Sequence, residues 1–383
     1  MSHVHIAKRL SEFPEYIFAQ LAKEVVKVEK GTGRKVLNFG PGTPDVRPSE
    51  IYLDQYATYI REPKSHFYPG YGAIPVFSDA LITWYKKRFG ATVVADEVLP
   101  LLGAKDGVSH IVLALANPGD EILMPNPGYP GYAGPTILFG AKPIFYDLTP
   151  EHDFKISLQS LEEKLSSKTA FIWINFPSNP TGQVATVEEL MELVAFAKKH
   201  HVLLVYDNAY SEITFNGFVA PSILQVPGAS EVAVEIGSFS KMSSFAGYRV
   251  GWIAGNAQVV AALGKVKSQL DSGLSLPLQQ LAAYALTHPD KVWHDMMIAS
   301  YQDRRDIIAA KLTKLGLTFS LPQGALYIWA RIPESATDST TYCMGLLREK
   351  QVLLTPGSAF GTQGERYVRV SICVNIETIN DYL

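Results

Sequence analysis

Residues 170–207 read AFIWINFPSNPTGQVATVEELMELVAFAKKHHVLLVYD. In order, the stretch holds an apolar run, AFIWIN (170–175), a turn rich in Pro, Asn and Gly, a helical pattern, TVEELMELVAFAKKHH (186–201), and a second apolar run that ends in a carboxylate, VLLVYD (202–207). Apolar runs without polar alternation belong to strands buried on both faces, and two of them joined by a helix make a parallel βαβ unit. Outward from there the pattern repeats. VLPLLGA (98–104) predicts a strand and DGVSHIVLALA (106–116) a helix, while EILM (121–124), PIFY (143–146), VAVEIGS (232–238) and VGWIAG (250–255) predict further strands. The fold class is therefore α/β, a mostly parallel mixed sheet flanked by helices.

The rest of the chain reads differently. Residues 257–315 look helical, with interruptions at Pro277 and Pro289. LYIWARI (326–332), a helix near 339–350, VLLT (352–355) and YVRVSI (367–372) form a smaller α+β unit, and the segment before Pro48 is expected to pack with it. The expected division is an N-terminal segment over 1–48, a large domain over 49–290 and a small, discontinuous domain completed by 291–383. A length of 383 residues suits two domains. The chain stops at NIETINDYL, so its last helix is expected to be short.

Composition narrows the function. At 47 % apolar and 19 % charged residues the chain should fold as a globular protein. A formal charge of −3 without a Lys/Arg run leaves no electrostatic footprint for nucleic acid or an anionic membrane. No apolar stretch approaches a membrane span, and MSHVHIAKRLSEFPEY (1–16) lacks the apolar core of a signal peptide. Cys343 and Cys373 stand far apart and form no CxxC pair, which suits reduced thiols in a cytoplasmic protein.

Chemistry in such sheets gathers at the C-terminal ends of the strands, and several short motifs fall there. GAKDG (103–107) is a glycine turn that opens a helix, and backbone N–H groups at a helix N-terminus bind phosphate. Asn179 sits in SNPTG, a turn that can aim its amide inward. Asp207 ends an apolar strand, where a carboxylate needs a cation or donors, and Tyr210 follows three residues on. Tyr129, in NPGYPGY (126–132), suits a ring that stacks on a flat ligand. Lys241 lies among Ser238, Ser240, Ser243 and Ser244, with Arg249 close behind; an amine desolvated near another cation becomes a nucleophile toward aldehydes. Arg369 sits inside a strand-like run and calls for a carboxylate, from the protein or a ligand. Each motif also has a plain structural reading. Together they describe one ligand, pyridoxal 5′-phosphate, with its phosphate, flat ring, ring nitrogen, ring hydroxyl and aldehyde each answered.

In that order and spacing the chain resembles the class I/II aminotransferases of PLP fold type I over nearly its whole length. SNPTG (178–182), DNAY (207–210) and SFSK (238–241) with Arg249 are the signature blocks. It looks most like the branch containing LL-diaminopimelate and aspartate aminotransferases, on the strength of GAKDG, NPGYPGY and YDNAYSEI (206–213). The resemblance implies that Lys241 carries the cofactor and shuttles a proton between the substrate Cα and cofactor C4′. It implies that Asp207 faces the ring nitrogen, that Asn179 and Tyr210 bond the ring hydroxyl, and that Tyr129 stacks on the ring. Ser238, Ser240, Arg249 and the backbone of Ala104 and Lys105 would hold the phosphate. Arg369 would receive the substrate α-carboxylate, and Gly42, in NFGPGTPD (38–45), matches a substrate-side glycine. Tyr68, in HFYPGYG (66–72), matches a tyrosine that reaches the phosphate across a homodimer interface, which makes the active sites shared. No metal is implied.

The chain departs from the pattern at Ala73 and Ser78, where the family has a glycine and a basic residue. It departs again at Gly72 and Ser244, where the LL-diaminopimelate branch has glutamate and asparagine. These last two replacements lead to the expectation of an aspartate-, glutamate- or alanine-like donor with 2-oxoglutarate as acceptor; the alternatives are LL-diaminopimelate transamination and β-elimination by a lyase. A sensor that keeps the fold only to bind the cofactor would need a preceding DNA-binding domain, and about forty residues leave no room for one. Arg47 is a candidate reader of the donor side chain, against a plain solvated loop charge.

Overall fold

The structure is a computed structural model that describes residues 4–12 and 17–382. Parts of the N-terminal segment assigned above, residues 1–3 and 13–16, lie outside the described residues, as does residue 383. The chain opens with α1 (Ile17–Thr32), β1 (Leu37–Asn38), α2 (Glu50–Tyr59) and α3 (Pro75–Phe89). Strands and helices then alternate: β2 (Val98–Leu101), α4 (Ala104–Leu115), β3 (Glu121–Asn126), α5 (Ala133–Leu138), β4 (Lys142–Asp147), α6 (Leu158–Lys164), β5 (Thr169–Asn175), α7 (Val187–His200) and β6 (Leu203–Asp207). After β7 (Ala233–Ser238) come the one-turn α8 (Phe239–Met242) and β8 (Gly251–Gly255).

These strands form one seven-stranded sheet in the order β2-β8-β7-β6-β5-β3-β4. All pairings are parallel except those of β8, which runs antiparallel to β2 and β7. The connection from β7 to β8 carries only α8 and a 3-10 turn, too little helix for a parallel crossover, so β8 returns in the opposite sense. The apolar runs behave as two-faced strands. Phe171, Trp173, Val205, Val234, Ile236 and Ile253 pack on one face, and Ile172, Ile174, Leu204 and Tyr206 on the other. The start of α7 is fixed by a capping box, with Thr186 Oγ1 accepting from Glu189 N (3.3 Å) and Glu189 Oε2 accepting from Thr186 N (2.8 Å).

The helical stretch resolves into α9 (Ala257–Leu270), α10 (Leu276–Thr287) and α11 (Lys291–Lys314). Pro277 sits in the first turn of α10, where its missing N–H costs nothing, and Pro289 falls between α10 and α11. Beyond lie β9 (Tyr327–Arg331), α12 (Ser339–Lys350), β10 (Val352–Leu353), β11 (Thr355–Pro356), β12 (Tyr367–Ser371) and α13 (Ile376–Tyr382). β11, β12 and β9 make a three-stranded antiparallel sheet, and β1, from the N-terminal segment, pairs in parallel with β10. Among the described residues no helix is long and apolar enough to cross a membrane.

Inside the large sheet one carboxylate stands out. Glu235 on β7 is 1 % exposed. It accepts hydrogen bonds from Ser222 Oγ (2.6 Å), Tyr85 Oη (2.9 Å) and Ile223 N (3.1 Å), so it ties α3 and the segment after β6 to the sheet. Tyr85 Oη in turn accepts from Trp252 Nε1 (2.9 Å). Burial raises the pKa of Glu235 from 4.5 to about 7, against the pull of these donors. A carboxyl with a raised folded-state pKa binds its proton in the folded chain where the unfolded chain has already lost it. Its contribution is full below the unfolded value and is lost as the pH rises through the folded one. Relative to Glu235→Gln, the wild type should therefore gain stability as the pH is lowered from about 7 to 4.5, read as urea midpoints. A difference that stays constant over this window means that Glu235 is an ordinary ionised carboxylate.

Candidate active site

The C-terminal ends of the sheet strands meet in a cavity of about 780 Å3. All the site residues expected from the sequence line it except Tyr68. β5 and β6 are in register with Asn175 opposite Asp207, so both strands end at the cavity floor. Asp207 is buried, its Oδ2 accepting from Tyr132 Oη (2.8 Å) and its Oδ1 from Ala209 N (3.2 Å). Burial raises its pKa, with Tyr132, Ala209 N–H and the charge of Lys241 opposing.

Lys241 lies in α8, immediately past β7. Ser238 caps that turn, its Oγ accepting from Ser240 N (3.2 Å). The lysine amine donates to the backbone oxygen of Gly42 (2.7 Å) and stands 5.5 Å above the centre of the Tyr210 ring. Burial lowers its pKa to about 8, with Arg369 and Arg249 adding to the shift and Asp207 opposing it. Gly42 is glycine for a packing reason, since a Cβ there would run into the Tyr327 phenol.

Ala104 and Lys105 open α4 behind Gly103, which has φ +78° and places no side chain over the helix end. A Cβ on Gly103 would strike the Arg249 guanidinium, so the arginine lies directly against this N-terminus. Its own NH1 donates to Ala246 O (2.8 Å). Uncapped N–H groups, the serines 238 and 240 and a guanidinium thus border one end of the cavity.

At the other sheet, Arg369 on β12 donates to Asn179 Oδ1 (3.0 Å) and Gly40 O (2.6 Å), and its guanidinium lies over the Tyr327 ring at 4.2 Å. Tyr210 Oη pairs with Tyr327 Oη (2.9 Å). Tyr129 lines the cavity and meets Tyr132 edge to face, and Tyr132 is stacked on Trp173 with centroids 4.5 Å apart.

Three residues of this network escaped the sequence reading: Tyr132, Asn175 and Tyr327. Tyr132 closes the same NPGYPGY motif as Tyr129, and Asn175 is the last residue of a called strand, so both were within reach of a register argument. Tyr327 opens LYIWARI, and only the approach of β9 to Gly42 reveals it. Tyr68 is 86 % exposed, beside the exposed Phe67 and Tyr71. Arg47 does not line the cavity and pairs at the surface with Glu50 (2.9 Å), the solvated loop charge of the plain reading.

The two departures that steered the donor expectation lie elsewhere. Neither Gly72 nor Ser244 lines the cavity of this chain. Gly72 is exposed with nothing within 4 Å of a built Cβ. Ser244 has φ +55°, and its Oγ rests on Met297 Sδ (3.8 Å). A left-handed position favours asparagine for its backbone, so serine here says little about a donor.

Known proteins agree with this geometry. The chain is 37 % identical over 375 residues to the LL-diaminopimelate aminotransferase of Dehalococcoides mccartyi strain CBDB1, covering 98 % of this chain and 96 % of that one. That name favours the alternative donor over the aspartate-like one expected first. Among solved structures, substrate-bound BacF from Bacillus subtilis superposes with a TM-score of 0.92 at 29 % identity, covering 99 % of this chain and 96 % of BacF. An aspartate aminotransferase from Thermotoga maritima does so with 0.90 at 28 %, covering 98 % and 97 %. The family described as aminotransferase class I and II matches residues 34–383. With its lysine, aspartate and arginines gathered at the strand ends, the chain belongs to the class I and II aminotransferases, transaminases that work with pyridoxal 5′-phosphate.

Proposed function

We propose that this chain moves the α-amino group of LL-diaminopimelate, or of a similarly long donor with a zwitterionic far end, to a 2-oxo acid such as 2-oxoglutarate. The observation that carries the reading is that the Lys241 amine, the Asp207 carboxylate and the Arg369 guanidinium open on one cavity. The residues fit pyridoxal 5′-phosphate. Gly103 and Arg249 form a cradle that any Cβ would fill, at an uncapped helix end suited to a phosphate, and the buried Asp207 suits a cationic ring nitrogen.

The cofactor, when bound, supplies the aldehyde that takes up the amino group and the ring that withdraws electrons from the substrate Cα. The chain does the rest. Lys241 would hold the cofactor, and its amine, once displaced by that of the substrate, would take the proton from Cα and return it; burial, which lowers its pKa to about 8 in the chain without cofactor, favours the free base that this needs. Asp207 keeps the ring nitrogen charged. Asn179 and Tyr210 orient the ring hydroxyl, while Tyr129 covers one ring face. Ser238, Ser240, Arg249 and the N–H groups of Ala104 and Lys105 hold the phosphate. Arg369 takes the substrate α-carboxylate in the fork now shared by Asn179 and Gly40, with Gly42 giving the substrate room.

The donor reading rests on the relatives' name and on charge. Among the described residues the cations lining the cavity are Lys105, Lys241, Arg249 and Arg369, of which the last three have roles above; Asn38 and Thr43 add neutral polar groups. A side-chain carboxylate alone wants a further cation, whereas a far end carrying both an amine and a carboxylate is answered by neutral donors and acceptors. The likeness to the Thermotoga maritima enzyme keeps aspartate as the second reading. We also propose a homodimer working in the cytoplasm. The exposed Phe67, Tyr68 and Tyr71 support the interface, which would bring Tyr68 to the partner's phosphate, and the two free thiols suit the compartment. The division into segments 1–48, 49–290 and 291–383 belongs to the same reading, supported by the pairing of β1 with β10.

Lys241→Ala should fold normally yet lose every borohydride-reducible link to the cofactor, and a link that persists assigns the lysine elsewhere. In single-turnover conversion to the pyridoxamine form, LL-diaminopimelate should outrun aspartate, glutamate and alanine. Aspartate proving fastest would transfer the reading to the second donor. Finally, mixing the inactive variants Tyr68→Ala and Lys241→Ala should restore part of the activity as subunits exchange, and a fully active monomer contradicts the shared site.

A further inference from the structure

Lys267, near the end of α9, is 1 % exposed and does not line the cavity. Its ammonium pairs with Asp106 Oδ2 and with Asp271 Oδ2 (2.7 Å). Asp106 is the third residue of α4, in the first turn of the helix end bordered by Arg249. The same Oδ2 accepts from Leu102 N (2.8 Å), and Oδ1 lies 2.5 Å from His110 Nδ1. Burial would raise the pKa of Asp106, but the contacts with His110 and Lys267 outweigh it and hold the carboxyl below its usual range. Asp106 is thus a charge. Asp106, His110 and Asp271 come close enough together to hold a metal ion, and the ammonium of Lys267 is the cation that stands among the two aspartates.

The carboxylate has two opposed effects. It fixes the turn into α4 by accepting from Leu102 N, and a negative charge in the first turn stabilises a helix. In a dry setting it also repels any anion placed at that helix end. A buried lysine on a neighbouring helix eases the conflict: it keeps the turn and offsets the charge of Asp106, although it also serves the carboxylate of Asp271. Asp271 steadies the lysine from the other side. Its Oδ1 accepts from Gly273 N (2.8 Å), in a turn where a Cβ would strike Gly70 O of the loop that carries Tyr68.

We propose that Lys267 is a positioning residue for the cofactor phosphate, acting through Asp106 to keep the N-terminus of α4 receptive to an anion. The inference rests on the phosphate site proposed above. Its test is the affinity of the full-length chain, freed of cofactor, for pyridoxal 5′-phosphate and for pyridoxal, which has the same ring and aldehyde without the phosphate. Lys267→Met should weaken pyridoxal 5′-phosphate by about tenfold or more and leave pyridoxal unchanged, the size of a charge effect at a partly buried helix end. Lys267→Arg should restore most of the loss. So should Asp106→Asn combined with Lys267→Met, because the charge that needed neutralising is gone. Should Lys267→Met fail to fold, Asp106→Asn alone still decides, since it must tighten pyridoxal 5′-phosphate or leave it unchanged without affecting pyridoxal. Equal losses for both ligands, or a double variant as weak as Lys267→Met, overturn the proposal and make the lysine a packing element. A wild type that binds both ligands equally well overturns the phosphate site itself, and this inference with it.

Discussion

The Asn175 amide joins three parts of the molecule. Its Nδ2 donates to Asp207 O (2.8 Å), and its Oδ1 accepts from Asn179 N (2.9 Å). The first bond locks the ends of β5 and β6 together at the strand pair that carries the floor of the site. The second pins the 176–182 turn, and with it the Asn179 side chain that accepts from Arg369 on the other sheet. Each of these polar groups is buried, so leaving one unpaired costs about 1–3 kcal/mol. The amide is thus one of the ties between Asp207 on the large sheet and Arg369 on the small one, beside the Tyr210–Tyr327 bond and the hold of Arg369 on Gly40 O.

Charge is arranged around that frame in a graded way. Asp207 is buried and Lys241 half-buried, and desolvation pushes both toward their neutral forms, the lysine pKa downward and the aspartate pKa upward. Neither is paired directly with the other; the amine is held by Gly42 O and the carboxylate by Tyr132. Both therefore keep a capacity for charge that a bound cation or aldehyde can use. Arg369 is held by neutral acceptors and ring faces, which leaves its full charge for an anion, and Tyr327 supports it while also bonding Tyr210. Glu235 uses the same chemistry without facing the cavity, which shows that a buried carboxylate on these strands is not by itself a mark of function.

The sheet was legible because its strands are buried on both faces and so carry no polar alternation. AFIWIN and VLLVYD declare themselves, and the starts of α7, α10 and α12 agree with the Thr186 cap, the first-turn Pro277 and the Asp338 cap. The antiparallel sense of β8 was not legible, since an apolar run has no direction; it follows from how little chain separates β7 from β8. The site residues that lie on motifs were found, and those that act through packing were missed. Tyr132 serves Asp207 from a loop after β3 of the same sheet, and Tyr327 meets Gly42 from a distant strand, a contact that only the packing of the small sheet on the large one creates. The donor argument rested on positions with a related ambiguity. Ser244 stands where a motif has asparagine, but a left-handed φ of +55° gives that position a backbone explanation, and its side chain faces α11 rather than the cavity.

Donor choice is also where fold similarity stops helping. Proteins that superpose on this chain at TM-scores near 0.9 carry different names, so the fold by itself does not name a donor. The residues that meet the reacting atoms are common to any α-amino acid. In the roles proposed for them, Arg369 would read a carboxylate and Lys241 a Cα proton, and neither would sense a side chain. Discrimination must then come from lining positions that touch only the far end of the donor, with a modest energy each: a lost methylene contact is worth about 1–3 kcal/mol, whereas an unmet polar group costs more. Asn38 lines the cavity. It sits on β1, which the pairing with β10 ties to the small sheet, and its Oδ1 already accepts from Gly40 N (2.8 Å), so its amide nitrogen is directed by the backbone that also holds Arg369. A donor that reaches Asn38 would be read by a group whose orientation depends on the arginine that binds the α-carboxylate. The two ends of the substrate would then be sensed through one piece of backbone, residues 38–42, and length would be selected by the same segment that receives the common end.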